Sequence, residues 1–376
     1  MNPVILATLI ATAMPQDTST SPWDSLARFL EQSIAWKAFP GAVIAVGRRD
    51  TVLFERGFGT LTYEGGSVPD AHTLYDLASL TKVMGLTTAV MMLVEERKLD
   101  LDAPVTRYVP QFAAGGDSVT IRQLLTHSSG LPAWLPLYRE VHSRREMFAR
   151  VNATPLEAAP GSRMVYSDLG AILLTEAVEH ITGERLDTLL ARRLFDPLGM
   201  HDTRYNPPTS LHPRIAPTEN DPWRGRILTG EVHDENAAVM DGVSGHAGIF
   251  STAADLVKFA QMMLRSGGTG ARGPGGPEAP LLDSATIAEF TRAQNPAFSS
   301  RALGWDTPSK GSSAGDDLSP HAFGHTGFTG TSIWIDPAKD LFVILLTNRV
   351  YPTRQNEQIL QVRPRVANLA AEAAKR

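Results

Sequence analysis

Strand-like segments sit at both ends of this sequence, with helical patterning between them, and that layout constrains the fold more than any other feature. Residues 42–46 and 52–58 are short apolar runs separated by Arg48-Arg49-Asp50, which signals a hairpin. Near the other end, residues 331–335 alternate, with Ile333 and Ile335 on one face, and Asp336-Pro337 breaks the run. Residues 341–347 then form a continuous apolar run, as a central strand covered on both faces requires. Residues 22–39 place Trp23, Leu26, Phe29, Leu30 and Ile34 at helical spacing. Residues 79–97 do the same with Val83, Leu86, Val90, Leu93 and Val94. Gly85 costs that second helix about 1 kcal/mol relative to Ala, so close packing is expected there. Further helices are expected at 121–125, 169–182, 186–194, 254–264 (with Thr252 as N-cap) and 355–374. Residues 266–280, rich in Gly and Pro, and 310–320 are expected to be loops. The fold class is therefore α/β in the α+β sense: an antiparallel sheet completed by the two termini, with a helical region inserted. The expected division is 22–77 with 296–376 for the sheet domain and 78–295 for the mainly helical one.

Composition narrows the function classes. At 376 residues and 43% hydrophobic, the chain can bury a sizeable core. A net charge of -5 gives no general attraction for nucleic acid or an anionic membrane. The absence of cysteine rules out disulfides, thiolate metal sites, Fe–S clusters and cysteine nucleophiles. Residues 4–13 are mostly apolar, and Ala11-Thr12-Ala13 has the small-x-small form of a signal-peptidase site, although no Lys or Arg precedes the run. Residues 1–21 are accordingly expected to be a signal peptide and linker, placing the protein in the periplasm or outside the cell. The run is about half of what a bilayer crossing needs, so no stable membrane insertion is expected.

Three short motifs carry the chemistry. Ser79-Leu80-Thr81-Lys82 puts a hydroxyl and an ammonium on one helical face, one turn apart. A serine needs a base to attack at neutral pH, and an amine can serve once burial lowers its pKa. Tyr166-Ser167-Asp168 precedes a helix, and a phenol can relay a proton when cations lie nearby. His325-Thr326-Gly327 reads as entering a strand, where glycine lets a substrate approach the backbone, and the N–H of Phe328 could pair with that of Ser79 as an oxyanion hole. Taken singly, each has a plain structural alternative: a helix-capping serine with an exposed lysine, a loop tyrosine, a histidine in a Gly-rich turn.

In this order the three are far more specific, and the sequence resembles the serine β-lactamase and penicillin-binding protein superfamily, in its class C β-lactamase-related, penicillin-binding-protein-like branch. The likeness extends to Thr120-Ile121-Arg122-Gln123-Leu124-Leu125-Thr126-His127-Ser128-Ser129-Gly130-Leu131, Pro197-Leu198-Gly199-Met200, Gly248-Ile249-Phe250-Ser251-Thr252, Ala254-Asp255-Leu256 and Thr331-Ser332-Ile333-Trp334-Ile335-Asp336-Pro337, covering roughly residues 22 to 350. The resemblance implies a β-lactamase/transpeptidase-like fold, with the site between the sheet and a mostly helical domain. It implies that Ser79 is acylated, that Lys82 and Tyr166 share acid and base duty, and that no cofactor or metal is needed. His325 would stand where the family usually has lysine.

Two departures qualify this. His325, with an ordinary pKa near 6.5, would attract a substrate carboxylate only partly and in a pH-dependent way. Asp168 replaces the usual asparagine; a carboxylate accepts hydrogen bonds but donates none, so Asp168 is expected to orient Lys82 and keep it charged, shifting the base role to Tyr166. The expected activity is hydrolysis through an acyl-Ser79 intermediate, on D-alanyl peptides of the cell wall first, small esters second and β-lactams third. The alternatives are a penicillin-binding sensor that acylates without turnover, acyl transfer to a non-water acceptor, and a metal-dependent hydrolase built on His233, Asp234 and His246. The 233–235 segment, with Asp241 and His246 near it in sequence, could equally be a substrate-side or a structural loop. His127 is expected to satisfy backbone at a helix end, and Trp134, Tyr138 and Trp223 to line the cleft or simply pack.

Overall fold

A computed structural model describes residues 21–113, 116–266 and 280–375. The expected signal segment and all but the ends of the expected Gly-Pro loop lie outside the described residues. Helix α1, Asp24–Ala35, leads into strands β1, Gly41–Arg48, and β2, Thr51–Gly59. Three short strands follow at long intervals: β3, Tyr75–Asp76; β4, Arg204–Tyr205; and β5, Ile249–Ser251. The chain returns to the main sheet with β6, Phe323–Thr326, β7, Ser332–Asp336, and β8, Leu341–Thr347. That sheet has the order β2-β1-β8-β7-β6 and is antiparallel throughout; β3, β5 and β4 make a separate small sheet. The first and last parts of the chain thus complete one sheet, as the sequence layout requires.

Strand alternation explains why the sheet is covered on both faces. Ala42, Ile44 and Val46 of β1 and Val343 and Leu345 of β8 pack against α1 and the last helix, α10. The intervening Val43, Ala45, Phe342, Ile344 and Leu346 face the opposite way, into the larger core shared with the central helices. β8 is buried along its whole length, which accounts for its unbroken apolar sequence. β6 is an edge strand, and it carries His325 and Thr326 as its last residues. The motif therefore leaves a strand rather than entering one, and Gly327 opens the turn to β7.

Between β3 and β4 run α2, Thr88–Glu95; α3, Ile121–Leu125; α4, Arg144–Asn152; α5, Asp168–Thr182; and α6, Leu186–Leu190. α7, Glu235–Val239, lies between β4 and β5, and α8, Ala253–Leu264, and α9, Ser284–Thr291, come before β6; α10 is Ile359–Ala373. Thr120 and Gln123 form a reciprocal capping box on α3, and the Thr252 hydroxyl accepts the Asp255 N–H at the start of α8. The 79–97 segment is not one continuous α-helix. Ser79 lies on a tight turn, and a wide π turn, Lys82–Thr87, precedes α2. A second such turn, Ala191–Phe195, ends the helix expected to reach residue 194. Gly85 sits in the first wide turn, where a Cβ would lie 2.8 Å from Ile249 Cδ1 and 2.9 Å from Leu190 Cδ1, so the close packing is real.

Candidate active site

Asp76 sets the position of the nucleophile, and the sequence reading did not single it out. One of its carboxylate oxygens accepts the Ala78 N–H at 2.8 Å, and the other accepts the His233 N–H at 2.6 Å. Burial pushes the Asp76 pKa up despite these two bonds. Ala78, directly before Ser79, is held at φ +46°, a left-handed conformation that costs a non-glycine residue energy and is kept only where surroundings enforce it. The Thr329 hydroxyl donates to the Asp76 carbonyl (2.6 Å), and that of Thr331 to the Leu77 carbonyl (3.0 Å). The nucleophile loop is thus lashed to the β6–β7 turn. The signal in the sequence was an aspartate two residues ahead of a backbone N–H that its side chain could accept.

Gly327 is required by the same docking. A Cβ there would fall 2.1 Å from Thr331 Oγ1 and 2.3 Å from the Leu77 carbonyl oxygen. The nucleophile loop takes the space that a side chain would need, while Gly327 still lines the cavity on the His325 side of Ser79.

Lys82 is buried; it donates to Ser79 Oγ at 3.0 Å and to the His246 carbonyl at 2.9 Å, and it forms an ion pair with Asp168 Oδ1 at 2.7 Å. Burial pulls the Lys82 pKa down, but the Asp168 carboxylate and the Tyr166 phenol outweigh it, and the net shift is upward. Lys82 is therefore a fixed ammonium with no lone pair for the Ser79 proton. Tyr166 lies beside it, with its ring centroid 5.0 Å from Lys82 Nζ and 5.1 Å from Arg301 Cζ. Its hydroxyl is buried and has no hydrogen-bond partner among the described residues. Asp168 begins α5, and the Ser167 hydroxyl caps that helix by accepting the Gly170 N–H. His127 Nδ1 accepts the Ser167 N–H at 3.1 Å, so this histidine satisfies backbone, and burial holds its pKa well below the ordinary value.

His325 lies under Tyr166, with ring centroids 5.7 Å apart. Its Nδ1 donates to the Thr326 carbonyl at 2.8 Å, and its buried Nε2 has no partner among the described residues. Burial, then the Arg301 and Lys82 charges, hold its pKa well below 6.5. The expected partly charged, pH-dependent carboxylate attractor is replaced by a neutral imidazole, and the cations lie around it instead. The N–H groups of Ser79 and Phe328 have no acceptor among the described residues, leaving both free for an oxyanion.

Two cavities meet at Ser79, Tyr166 and Phe328. One, of about 360 Å³, is bounded by Arg301, His325, Thr326, Arg349 and Arg363. The sequence reading missed these arginines because they come from three distant segments. The other, of about 370 Å³, is bounded by Trp134, Asp168, Asp234, Glu235 and His246. Asp234 caps α7, accepts from His246 Nε2 at 2.8 Å, and is held well below the usual carboxylate range; burial opposes this, but the His246 interaction prevails. His233 bonds Glu219 at 2.9 Å, and Arg354 bridges Glu219 and Glu235. Despite its burial, Glu219 is brought down to about 2 by His233 and Arg354. Asp241 is exposed, and its carbonyl accepts from the Asn206 side chain at 2.8 Å. No group of three or more His, Cys, Asp or Glu side chains among the described residues is placed to hold a metal ion. The 233–235 segment is a cavity wall. Trp134 lines that wall, half-exposed, while Tyr138 is buried against Trp223 with ring centroids 4.9 Å apart.

A model of the β-lactamase family matches residues 26–366, a span that contains every group described above. The chain belongs to the β-lactamase family. Among proteins of known name, it is 33% identical over 360 residues to a Salmonella agona protein provisionally named a D-alanyl-D-alanine carboxypeptidase, a match covering 85% of this chain and 81% of the relative. Two solved structures share the fold. The octameric penicillin-binding protein homologue from Pyrococcus abyssi has a TM-score of 0.68 at 23% identity, over 86% of this chain and 73% of its own. EstCE1, a hydrolase with promiscuous acyltransferase activity, has a TM-score of 0.68 at 21% identity, over 91% of this chain and 98% of its own. This β-lactamase-family hydrolase has no helix among its described residues long and apolar enough to cross a membrane.

Proposed function

We propose that this chain is a serine carboxypeptidase of the D-alanyl-D-alanine type, cleaving the last peptide bond of a chain that ends in a free carboxylate. One observation carries the reading. Arg301, Arg349 and Arg363 bound the cavity on the His325 side of Ser79, and none forms an ion pair among the described residues. Only Glu357 opposes them in that cavity wall. Arg349 and Arg363 are bonded to backbone carbonyls and contribute charge, whereas Arg301 Nε and Nη1 are buried without a hydrogen-bond partner among the described residues. A free guanidinium beside a nucleophile suits a carboxylate on the leaving group, with a charge-assisted hydrogen bond worth roughly 1.5–3 kcal/mol. In this reading Tyr166, in its phenolate form, takes the Ser79 proton as Oγ bonds to the carbonyl carbon. The tetrahedral intermediate collapses, the C–N bond breaks, and the leaving amine carries the proton away. A water then attacks the acyl-Ser79 ester, and its proton returns to Ser79 by the same relay. Substrates of this kind belong to the cell wall, and we place the site of action outside the cytoplasm, with residues 4–13 as the export signal.

The test compares an acyl-D-alanyl-D-alanine peptide with the same peptide amidated at its C-terminus. The free acid should be cleaved with a kcat/KM about ten- to a hundredfold higher, and Arg301→Met should remove most of that preference. Equal rates on the two peptides would sink the carboxypeptidase reading. A second reading, esterase or acyl-transfer activity on small apolar substrates, is favoured by the exposed Trp134, Phe328 and Leu360 on the two cavity walls. Faster turnover of neutral esters than of either peptide would select it, a product rise with added alcohols would identify transfer, and a burst without turnover would mark a sensor.

A further inference from the structure

Arg363 is a buried charge whose bonds do not point at a substrate. It lies on the apolar stripe of α10, among Ile359, Val362, Val366, Ala367 and Ala370, and is only 7% exposed. No carboxylate pairs with it among the described residues, and burial, together with Arg349, lowers its pKa to about 9. An uncompensated guanidinium is costly to bury, and a fold keeps one where its hydrogen bonds do something an apolar residue could not.

Those bonds are specific. One terminal nitrogen of Arg363 donates to the Gly327 carbonyl at 2.5 Å and to the Thr331 carbonyl at 2.9 Å. The Gly327 carbonyl and the Phe328 N–H are the two ends of one planar peptide group. The Gly330 N–H also donates to that carbonyl, at 3.1 Å, and the turn is closed by the Gly327 N–H bonded to the Thr331 carbonyl at 2.8 Å. A cationic donor at the oxygen end polarises the peptide and makes the N–H at the other end a stronger donor. The next carbonyl is held in the same manner: Arg349 Nε donates to the Phe328 carbonyl at 2.7 Å, and its Cζ lies 4.3 Å from the Phe328 ring centroid. The peptide that offers the Phe328 N–H is therefore fixed from both sides, next to Ser79, in the wall shared by both cavities.

We propose that Arg363 is a positioning residue of the oxyanion site: it holds and polarises the Gly327–Phe328 peptide, so that the Phe328 N–H is already aimed at the carbonyl oxygen that becomes negative when Ser79 attacks. Arg363 exchanges no proton and forms no bond with substrate. In the step it serves, Ser79 Oγ bonds to the carbonyl carbon and the carbonyl π pair moves onto oxygen, where the two free N–H groups receive it. The inference rests on acyl transfer at Ser79 and is independent of which leaving group departs.

The experiment uses the full chain and probes that carry no carboxylate. Wild type, Arg363→Met and Arg363→Gln are compared in the rate of Ser79 labelling by a neutral fluorophosphonate, read by intact mass, and in the acylation burst with a neutral activated ester. Removing a direct oxyanion donor typically costs about a hundred- to a thousandfold, so weakening one indirectly should slow both reactions about ten- to a hundredfold, with KM for the ester unchanged. The acyl-enzyme carbonyl stretch, read by isotope-edited infrared difference spectroscopy, should move to higher frequency in both variants. If labelling rate and stretch match the wild type in the variants while only carboxylate-terminated peptides suffer, Arg363 is a carboxylate ligand and the proposal is overturned. Should Arg363→Met fail to fold, Arg363→Gln, which keeps one donor without the charge, carries the same comparison, and a wild-type rate in that variant overturns the proposal equally. Failure of the carboxypeptidase reading would show separately, as equal wild-type rates on free-acid and amidated peptides, and would leave these measurements intact.

Discussion

Replacing Asp168 by asparagine should show that Lys82 works as a fixed cation. The pair is separated by 2.7 Å, with the two side chains 4% and 19% exposed. At an effective dielectric of about 20 the direct attraction is about 6 kcal/mol, before desolvation is charged against it. The other two acceptors of Lys82, Ser79 Oγ and the His246 carbonyl, are neutral oxygens and cannot replace the charge. Removing one partner of a buried pair leaves the other uncompensated, at about 3–5 kcal/mol. In Asp168→Asn, burial would act on Lys82 with much less opposition, and its pKa would fall into the range where activity is measured. The expected result is a loss of about a hundredfold in the Ser79 acylation rate at pH 7, equivalent to about 2.7 kcal/mol, together with a lower melting temperature. A new ionisation should appear in the pH–rate profile that is absent from the wild type below pH 10. Stopped-flow acylation by a neutral ester across pH 5–10 measures all of this except the melting. An unchanged or faster variant, with no new ionisation, would refute the argument and return the base role to a neutral Lys82.

Two other perturbations test the frame around that pair. Gly327→Ala would drive a Cβ to 2.1 Å from Thr331 Oγ1 and 2.3 Å from the Leu77 carbonyl, so the nucleophile loop must part from the β6–β7 turn; fluorophosphonate labelling of Ser79 should fall by at least a hundredfold while the circular dichroism of the fold persists. The neutral, buried His127 and His325 should make the protein acid-sensitive. Their native pKa values lie below the unfolded value near 6.5, so the unfolded state binds more protons and stability falls as pH drops through 6.5 toward the native values. The cost is at most about 1.4 kcal/mol per histidine per pH unit within that window; urea melts at pH 7 and 5 should show the fall, His325→Gln should remove its share, and a flat profile would be inconsistent with neutral histidines.

What the sequence made legible follows from how each feature is encoded. Ser79 and Lys82 are three residues apart, so local geometry alone brings them together, and Leu341–Thr347 reads as a covered strand because its own composition demands it. β6 is four residues, Phe323–Thr326, and Gly324 is glycine because a Cβ would meet Trp334 and the Ile333 carbonyl; the strand is specified by its partner and not by its own pattern. Asp168 could be assigned to Lys82 from charge logic. The charge of His325 could not, because it depends on Arg301, 24 positions away in a segment with no motif. Arg363 left a trace: one arginine within an otherwise apolar helical stripe, at a position where the amphipathic pattern calls for a hydrophobic residue. Such an exception on a core-facing stripe is a usable pointer to a site even without a motif.

The two cavities also differ in charge, and the difference constrains how a substrate can lie across Ser79. On the His325 side three guanidinium groups face one carboxylate, Glu357. On the other side Asp168, Asp234 and Glu235 line the wall against Arg354, with Lys82 beneath Asp168. Counting only the arginines, Lys82 and the carboxylates, the first cavity carries two net positive charges and the second one net negative charge. A carbonyl held between the two oxyanion donors therefore sits in a field that favours negative charge on the leaving group and disfavours it on the acyl group. Two esters with the same neutral alcohol, one with an acetyl and one with a succinyl acyl group, isolate the second effect. The succinyl ester should react with a kcat/KM about tenfold lower at low ionic strength, and the gap should narrow as salt shortens the screening length from about 30 Å at 0.01 M to about 10 Å at 0.1 M. A succinyl ester that reacts as fast as the acetyl ester, or a gap that ignores salt, would mean that the bound carboxylates are already neutralised by His246 and Arg354 and that shape alone orients the substrate.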